Sequence, residues 1–212
     1  MTGYLCKNTY FVAMTISSGL KSQIDALKPK EAKRIVLGID PGTNIMGFGV
    51  IAYSNKQNKM LLMDVLKNAK ATDSIEKLKL IFRHTESVIR QYNVTEVAIE
   101  DPFYGKNVQS MLKLGRAQGM AIAAALHLDI PVTQYAARKI KQSITGNGSA
   151  SKEQVAAMLK RLLSLTEAPE YLDATDALAV AMCHLNQRAP VVGDDKFNSW
   201  TAFIAKNPGR IK

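Results

Sequence analysis

Cysteine is nearly missing from this chain. The two present, Cys6 and Cys183, lie far apart and match no metal-ligand or disulfide-scaffold spacing. That excludes a zinc module or a disulfide-stapled secreted domain and suits a reducing cytoplasm. Long hydrophobic runs are missing too: even the Ala-rich segment after Gly119 falls well short of the roughly 18 uninterrupted apolar residues of a membrane helix. No segment repeats internally. Acids are the scarcer charge, 18 Asp and Glu against 28 Lys and Arg, for a formal +10. That imbalance favours polyanionic partners or anionic membrane surfaces. What is present in quantity is core: 47% of the 212 residues are hydrophobic, so a single folded domain with a basic face is expected rather than a disordered basic tail.

The ends differ from the middle. Residues 1–33 read as a leader. "KNTYFVAMTISSG" faintly echoes a signal peptide, but Thr residues break its apolar run, and "LKSQIDALKPKEAKR" is polar. Translation starting at Met14 or later explains it as well. From Pro190 the periodicity is lost, and Lys196, Lys206, Arg210 and Lys212 make residues 190–212 a basic tail. The domain is expected over 34–189.

Within it, residues 34–40, 46–53 and 60–66 are short apolar runs joined by tight polar connections, the pattern of an antiparallel meander. From Ser74 the period changes. Ile75, Leu78, Phe82, Ile89 and Tyr92 fall on one face of a helix. "VTEVAIE" (94–100) and "IPVTQ" (130–134) predict a fourth and a fifth strand, and Asn107–His127 a long Ala-rich helix. A short helix with a basic face is expected over Tyr135–Ser143, and a final one over Leu172–Asn186. The loop "GNGSASKEQ" leads into another helix, with Ser151 and Gln154 spaced as a capping box. Together these predict an α/β fold: a mixed five-stranded sheet with helices on both faces.

Why does the run "RIVLGID" end on a carboxylate before Pro-Gly? Asp40, Glu100, and Asp173 with Asp176 all sit at element ends. Each has a bland explanation alone. Asp before Pro-Gly is a common turn former, Glu100 beside Asp101 can be a solvated strand end, and acids in a first helical turn complement the dipole. One shared cause is simpler than four coincidences. If Asp40 and Glu100 end adjacent parallel strands they meet in the crevice where such sheets bind ligands, and Asp173 and Asp176, at i and i+3, face the same way. Four converging carboxylates need a cation, and oxygen-only ligands point to Mg²⁺ or Mn²⁺. Two such ions about 3.5–4 Å apart form the clamp used for phosphodiester hydrolysis, which makes a basic protein with this site a nuclease.

"LGIDPGTNIMGFGVI", "AIEDPFYGKN", "MLKLGRAQG", "YAARKIKQSITGNGSASKEQV" and "DATDALAVA", in this order, closely resemble the RuvC family, the bacterial crossover junction endodeoxyribonucleases. The resemblance covers about 34–187. It implies an RNase H-like fold, a homodimer, and resolution of four-way Holliday junctions by paired symmetric nicks at preferred T-rich sequences in recombination and repair. It also implies RuvA and RuvB as partners. On this reading Asp40, Glu100, Asp173 and Asp176 are the catalytic acids and ligate two Mg²⁺ per subunit, with Mn²⁺ able to substitute. Phe103 stacks on a junction base, and Lys141 and Lys152 contact the scissile region. Asp101 adds a charge not carried over as a ligand, and Tyr104-Gly105 departs from the family's loop. The residues agree: an apolar Phe103 beside a metal site has a reason to be there if it fills the gap of an unpaired base, a contact worth about 1–3 kcal/mol. The competing reading is a loop anchor that packs inward. Arg138, Lys139, Lys113 and Arg116 are further candidate DNA contacts, or ordinary solvated charge. Met111, Leu112, Leu114 and the alanines around Ile122 suit core or dimer packing.

Two other readings compete. "GIDPGT" resembles the phosphate loop of actin-like ATPases and sugar kinases, but those repeat the fold in two lobes and this chain holds one copy. A catalytically silent junction-binding protein would lack one of the acids, and all four are present.

Overall fold

The computed structural model describes residues 34–55, 57–68, 73–101, 107–165 and 172–187. The leader, the tail and Phe103 lie outside the described residues. Three strands come first: β1 (Arg34–Asp40), β2 (Ile45–Ser54) and β3 (Gln57–Lys67). Then α1 (Ser74–Tyr92), β4 (Glu96–Asp101), α2 (Val108–His127) and β5 (Val132–Ala136) alternate. The helices α3 (Ala137–Thr145), α4 (Lys152–Leu162) and α5 (Leu172–Asn186) complete the order.

The sheet runs β3-β2-β1-β4-β5. β1–β2 and β2–β3 pair antiparallel, and β1–β4 and β4–β5 parallel, as the change of period along the sequence predicts. The β2–β3 ladder is longer than the apolar runs, because backbone pairing continues through Asn58 and Gln57 once the strands are in register. β5 and α3 both start two residues later than expected. The carbonyl of Pro131 already accepts from Val97 as the chain enters the sheet, and Tyr135 and Ala136 continue the pairing with β4, so the helix begins only at Ala137. Gly146, at φ 77°, then ends α3 in the left-handed conformation that glycine adopts without steric cost. The Ser151–Gln154 capping box forms at the start of α4.

Alternation in β1 sorts the two cores. Ile35, Leu37 and Ile39 face α1 and α2, joined by Phe48, Ile81, Val88, Ala117 and Ala121. Val36 faces the other way, toward Ile140 of α3, Leu159 of α4 and Leu178 of α5. α5 is apolar nearly all round and, apart from half-buried Asp176, is buried from Ala174 to His184, with the sheet on one side and α3 and α4 on the other. It reaches the sheet because three strand residues have no side chain. A Cβ on Gly38 would sit 2.1 Å from the Ala177 carbonyl oxygen, one on Gly47 2.1 Å from that of Asp173, and one on Gly49 2.7 Å from the Leu178 nitrogen. The helix backbone therefore rests directly on the strand backbones. Among the described residues no helix is long and apolar enough to cross a membrane.

Candidate active site

Asp40 is the last residue of β1 and Glu100 the last but one of β4. Ile39 and Ile99 are paired across these parallel strands and both face the α1/α2 core. The next residue on each strand, Asp40 and Glu100, thus points to the opposite face. α5, seated on Gly38, Gly47 and Gly49, brings its first turn over that same spot. Carboxylate oxygens of Asp40, Asp173 and Asp176 come within 4.8 Å of one another. Glu100 is not in that trio but lines the same small cavity, about 90 Å³, with Asp40, Asp176, Lys141, Lys152 and Ala137. Residues separated by most of the domain's sequence thus converge as the chain reading expects.

The electrostatics show what the cluster lacks. Burial, then the fields of Glu100 and Asp176, push the Asp40 carboxyl up to about 8. Burial and the Asp176 charge raise Glu100 as well. The Lys152 ammonium bonds Asp176 directly. Burial works to lower its pKa, yet this bond and the charges of Asp40 and Asp173 outweigh burial and hold it raised. Lys152 works to lower Asp40 but does not offset burial and the neighbouring acids, and Lys152 and Lys141 together leave four carboxylates short of positive charge. A divalent cation bound by oxygen donors would supply that charge, and the donor set, with no His or Cys among the described residues that line the cavity, fits a hard ion.

The basic candidates separate into three groups. Lys141 and Lys152 line the acidic cavity. Arg138 and Lys139 are exposed on α3 and do not: Lys139 sits over the Tyr135 ring, Nζ 5.1 Å from its centroid, and Arg138 packs over Gly148. Lys113 and Arg116 are on the other face of the sheet, in a cleft between α1 and α2. Leu112 is exposed, which removes it from the core.

A sheet ordered in this way, with acids ending its first and fourth strands and others on a helix laid across it, has the RNase H-like architecture. The comparisons narrow it. The family model for crossover junction endodeoxyribonuclease RuvC matches residues 36–184. The RuvC endonuclease of Christiangramia forsetii is 51% identical over 182 residues, which are 86% of this chain and 95% of that protein. The Thermus thermophilus RuvC structure is 33% identical with a TM-score of 0.66, over 72% of this chain and 93% of that one. The same protein in complex with Holliday junction substrate gives 30% and 0.65, with the same coverage. This chain belongs to the RuvC family of crossover junction endodeoxyribonucleases.

One polar group has no counterpart in the sequence reading. The Arg34 guanidinium donates to both Glu96 oxygens at 2.6 and 2.8 Å, His184 Nε2 lies 2.8 Å from Glu96, and the Tyr135 hydroxyl lies 2.8 Å from His184 Nδ1. The Arg34 bond, with His184 in support, holds Glu96 below the usual carboxylate range despite burial. The group ties β1, β4, β5 and α5 together beneath the acids. A Glu opening one strand and a His near a helix end carry no spacing signal that would have revealed it.

Proposed function

We propose that this endonuclease resolves Holliday junctions by paired nicks, with Asp40, Glu100, Asp173 and Asp176 holding two Mg²⁺ ions, for which Mn²⁺ substitutes. One observation carries the reading: Asp40, Asp173 and Asp176 bring carboxylate oxygens within 4.8 Å of one another, and Glu100 shares a cavity with Asp40 and Asp176, with Asp40 pushed up to about 8. When bound, such ions lower the pKa of the attacking water and stabilise the leaving oxygen. The chain's own residues do the rest. The β1 and β4 ends and the first turn of α5 fix where the ions sit. Lys152, bonded to Asp176, is the cation placed to face the scissile phosphate, and Lys141 lines the same cavity. Phe103 stacks on an unpaired junction base.

Two nicks need two sites, supplied by a homodimer. The outward face of α2 supports this. Val108, Leu112 and Leu126 are exposed there at 67, 53 and 58%, in line with Gly115 and Gly119, beside which an added Cβ would meet nothing within 4 Å. Such a stripe lets the same helix of a second copy approach closely about a two-fold axis, which matches the approximate two-fold of a junction. RuvA and RuvB, acting in the cytoplasm, are the partners this role requires.

The test is cleavage of a synthetic four-way junction beside a linear duplex, with Mg²⁺, Mn²⁺ or EDTA. The wild type cuts the junction in paired strands only with metal, and Asp40→Asn binds it without cutting. Unchanged cutting by that variant refutes the ligand role.

A further inference from the structure

On the face of the sheet opposite the acids lies a second, larger cavity of about 500 Å³. Its walls are the first turns of α1 and α2 and the β1–β2 turn. Lys77, Lys113 and Arg116 supply its charge, Thr43, Asn44, Ser74 and Ser110 its hydroxyl and amide groups, and no acid lines it among the described residues. Lys77 donates to the Asn44 side chain at 3.1 Å and so braces the turn against α1. Among the described residues neither Lys113 nor Arg116 has an ion-pair partner. Leu78, Ile81 and Ala117 complete the lining, and among the described residues no aromatic ring lines it on which a base could stack. Cations and neutral donors without a stacking platform suit phosphate and sugar rather than base recognition.

Its position gives the cavity a role. Thr43 follows Asp40 by three residues, so at most about 10 Å of chain separates the two sites. The acids face α5, and the cationic cavity faces α1 and α2. The β1–β2 turn therefore divides an acidic site for one phosphodiester from a cationic cleft for another stretch of backbone.

We infer that the cleft lined by Lys77, Lys113 and Arg116 binds the backbone phosphates of a second junction strand, the one that parts from the cleaved strand at the crossover, with the β1–β2 turn between them. This rests on the junction-cleavage reading above. It places part of the selectivity for branched DNA in the turn: strands that separate on either side of it fill both sites, whereas in a linear duplex no two strands diverge there.

Binding is measured in EDTA, so that no cutting occurs, for wild type, for the double variant Lys113→Gln/Arg116→Gln, and for Arg83→Gln/Arg90→Gln. The last removes the same charge from the exposed side of α1. Circular dichroism confirms that each is folded. The cleft variant should lose about 10- to 100-fold in junction affinity, and the steepness of its salt dependence should fall by about two, one per lost phosphate contact. Linear-duplex affinity should change less than threefold, and the α1 control should bind the junction as wild type does. Wild-type junction affinity and salt slope in the cleft variant would overturn the assignment, as would an equal loss on linear duplex or in the control. Should the cleft variant unfold, Lys77→Gln with Ser110→Ala is read in its place, with the salt slope expected to fall by about one because a single charge is removed. Failure of the wild type to cut junctions with metal would sink the function itself, a result these binding measurements do not produce.

Discussion

Replacing Asp40 by Asn should stabilise the metal-free protein while destroying its catalysis. An ordinary aspartate titrates at 3.8, and Asp40 is pushed up to about 8 by burial and by Glu100 and Asp176. A folded-state pKa above the unfolded one means that folding disfavours the ionised carboxylate. The loss of stability begins as pH rises past the unfolded value, grows through neutrality, and levels off above the folded value. At about 1.4 kcal/mol per unit, the cost near pH 7.5 is on the order of 5 kcal/mol if nothing relaxes. Water entry and side-chain relaxation reduce it, so roughly half, about 2–3 kcal/mol, is the expected gain from the neutral amide. For a domain of this size that is about 5–10 °C in Tm. Differential scanning calorimetry in EDTA from pH 5 to 8.5 reads it directly. The gain should be small at pH 5 and largest above pH 7.5, and adding Mg²⁺ should raise the wild type toward the variant. A variant no more stable than wild type at pH 8, or a gain that ignores pH, would refute the electrostatic account of the site.

Two further outcomes test the frame around the acids. Gly47→Ala pushes a methyl against the Asp173 carbonyl, 2.1 Å from the ideal Cβ position, and neither backbone can step aside cheaply. It should cost about 3 kcal/mol or more in denaturant titration and abolish stabilisation by Mg²⁺, and a wild-type midpoint would disprove the close seat of α5. Leu112→Asp with Gly119→Asp places charges along the apolar stripe of α2. If the proposed homodimer forms through this stripe, sedimentation velocity should show a dimer for the wild type and a monomer for the variant, with circular dichroism unchanged, and a persistent dimer would move the interface elsewhere.

Much of this was legible in the sequence because the signals are local. The Ile, Val and Leu run before Asp40, the change of period at Ser74 and the Ser151–Gln154 box each announce an element within a few residues. The convergence of the acids was legible only by asking why carboxylates recur at element ends, and the RuvC-like motifs gave that question its answer. What stayed hidden depends on distant partners. Gly38, Gly47 and Gly49 look like ordinary strand glycines until α5 lies on them. Glu96, Arg34, His184 and Tyr135 come from four elements. Lys113 and Arg116 read as basic residues of one helix, with nothing to say that the sheet stands between them and the acids. Tyr135 is expected from the sequence to open a helix, and its pairing with Glu100 places it in the strand instead.

The glycine seat beneath α5 makes the spacing of Asp40 to Asp173 and Asp176 a property of main chain against main chain. Side-chain rotamers can adjust that spacing, but the elements themselves have less than a methyl group of slack. Heat or denaturant that loosens this helix scatters the carboxylates in the same event, so catalytic competence and global integrity should disappear together, with no folded but inactive form in between.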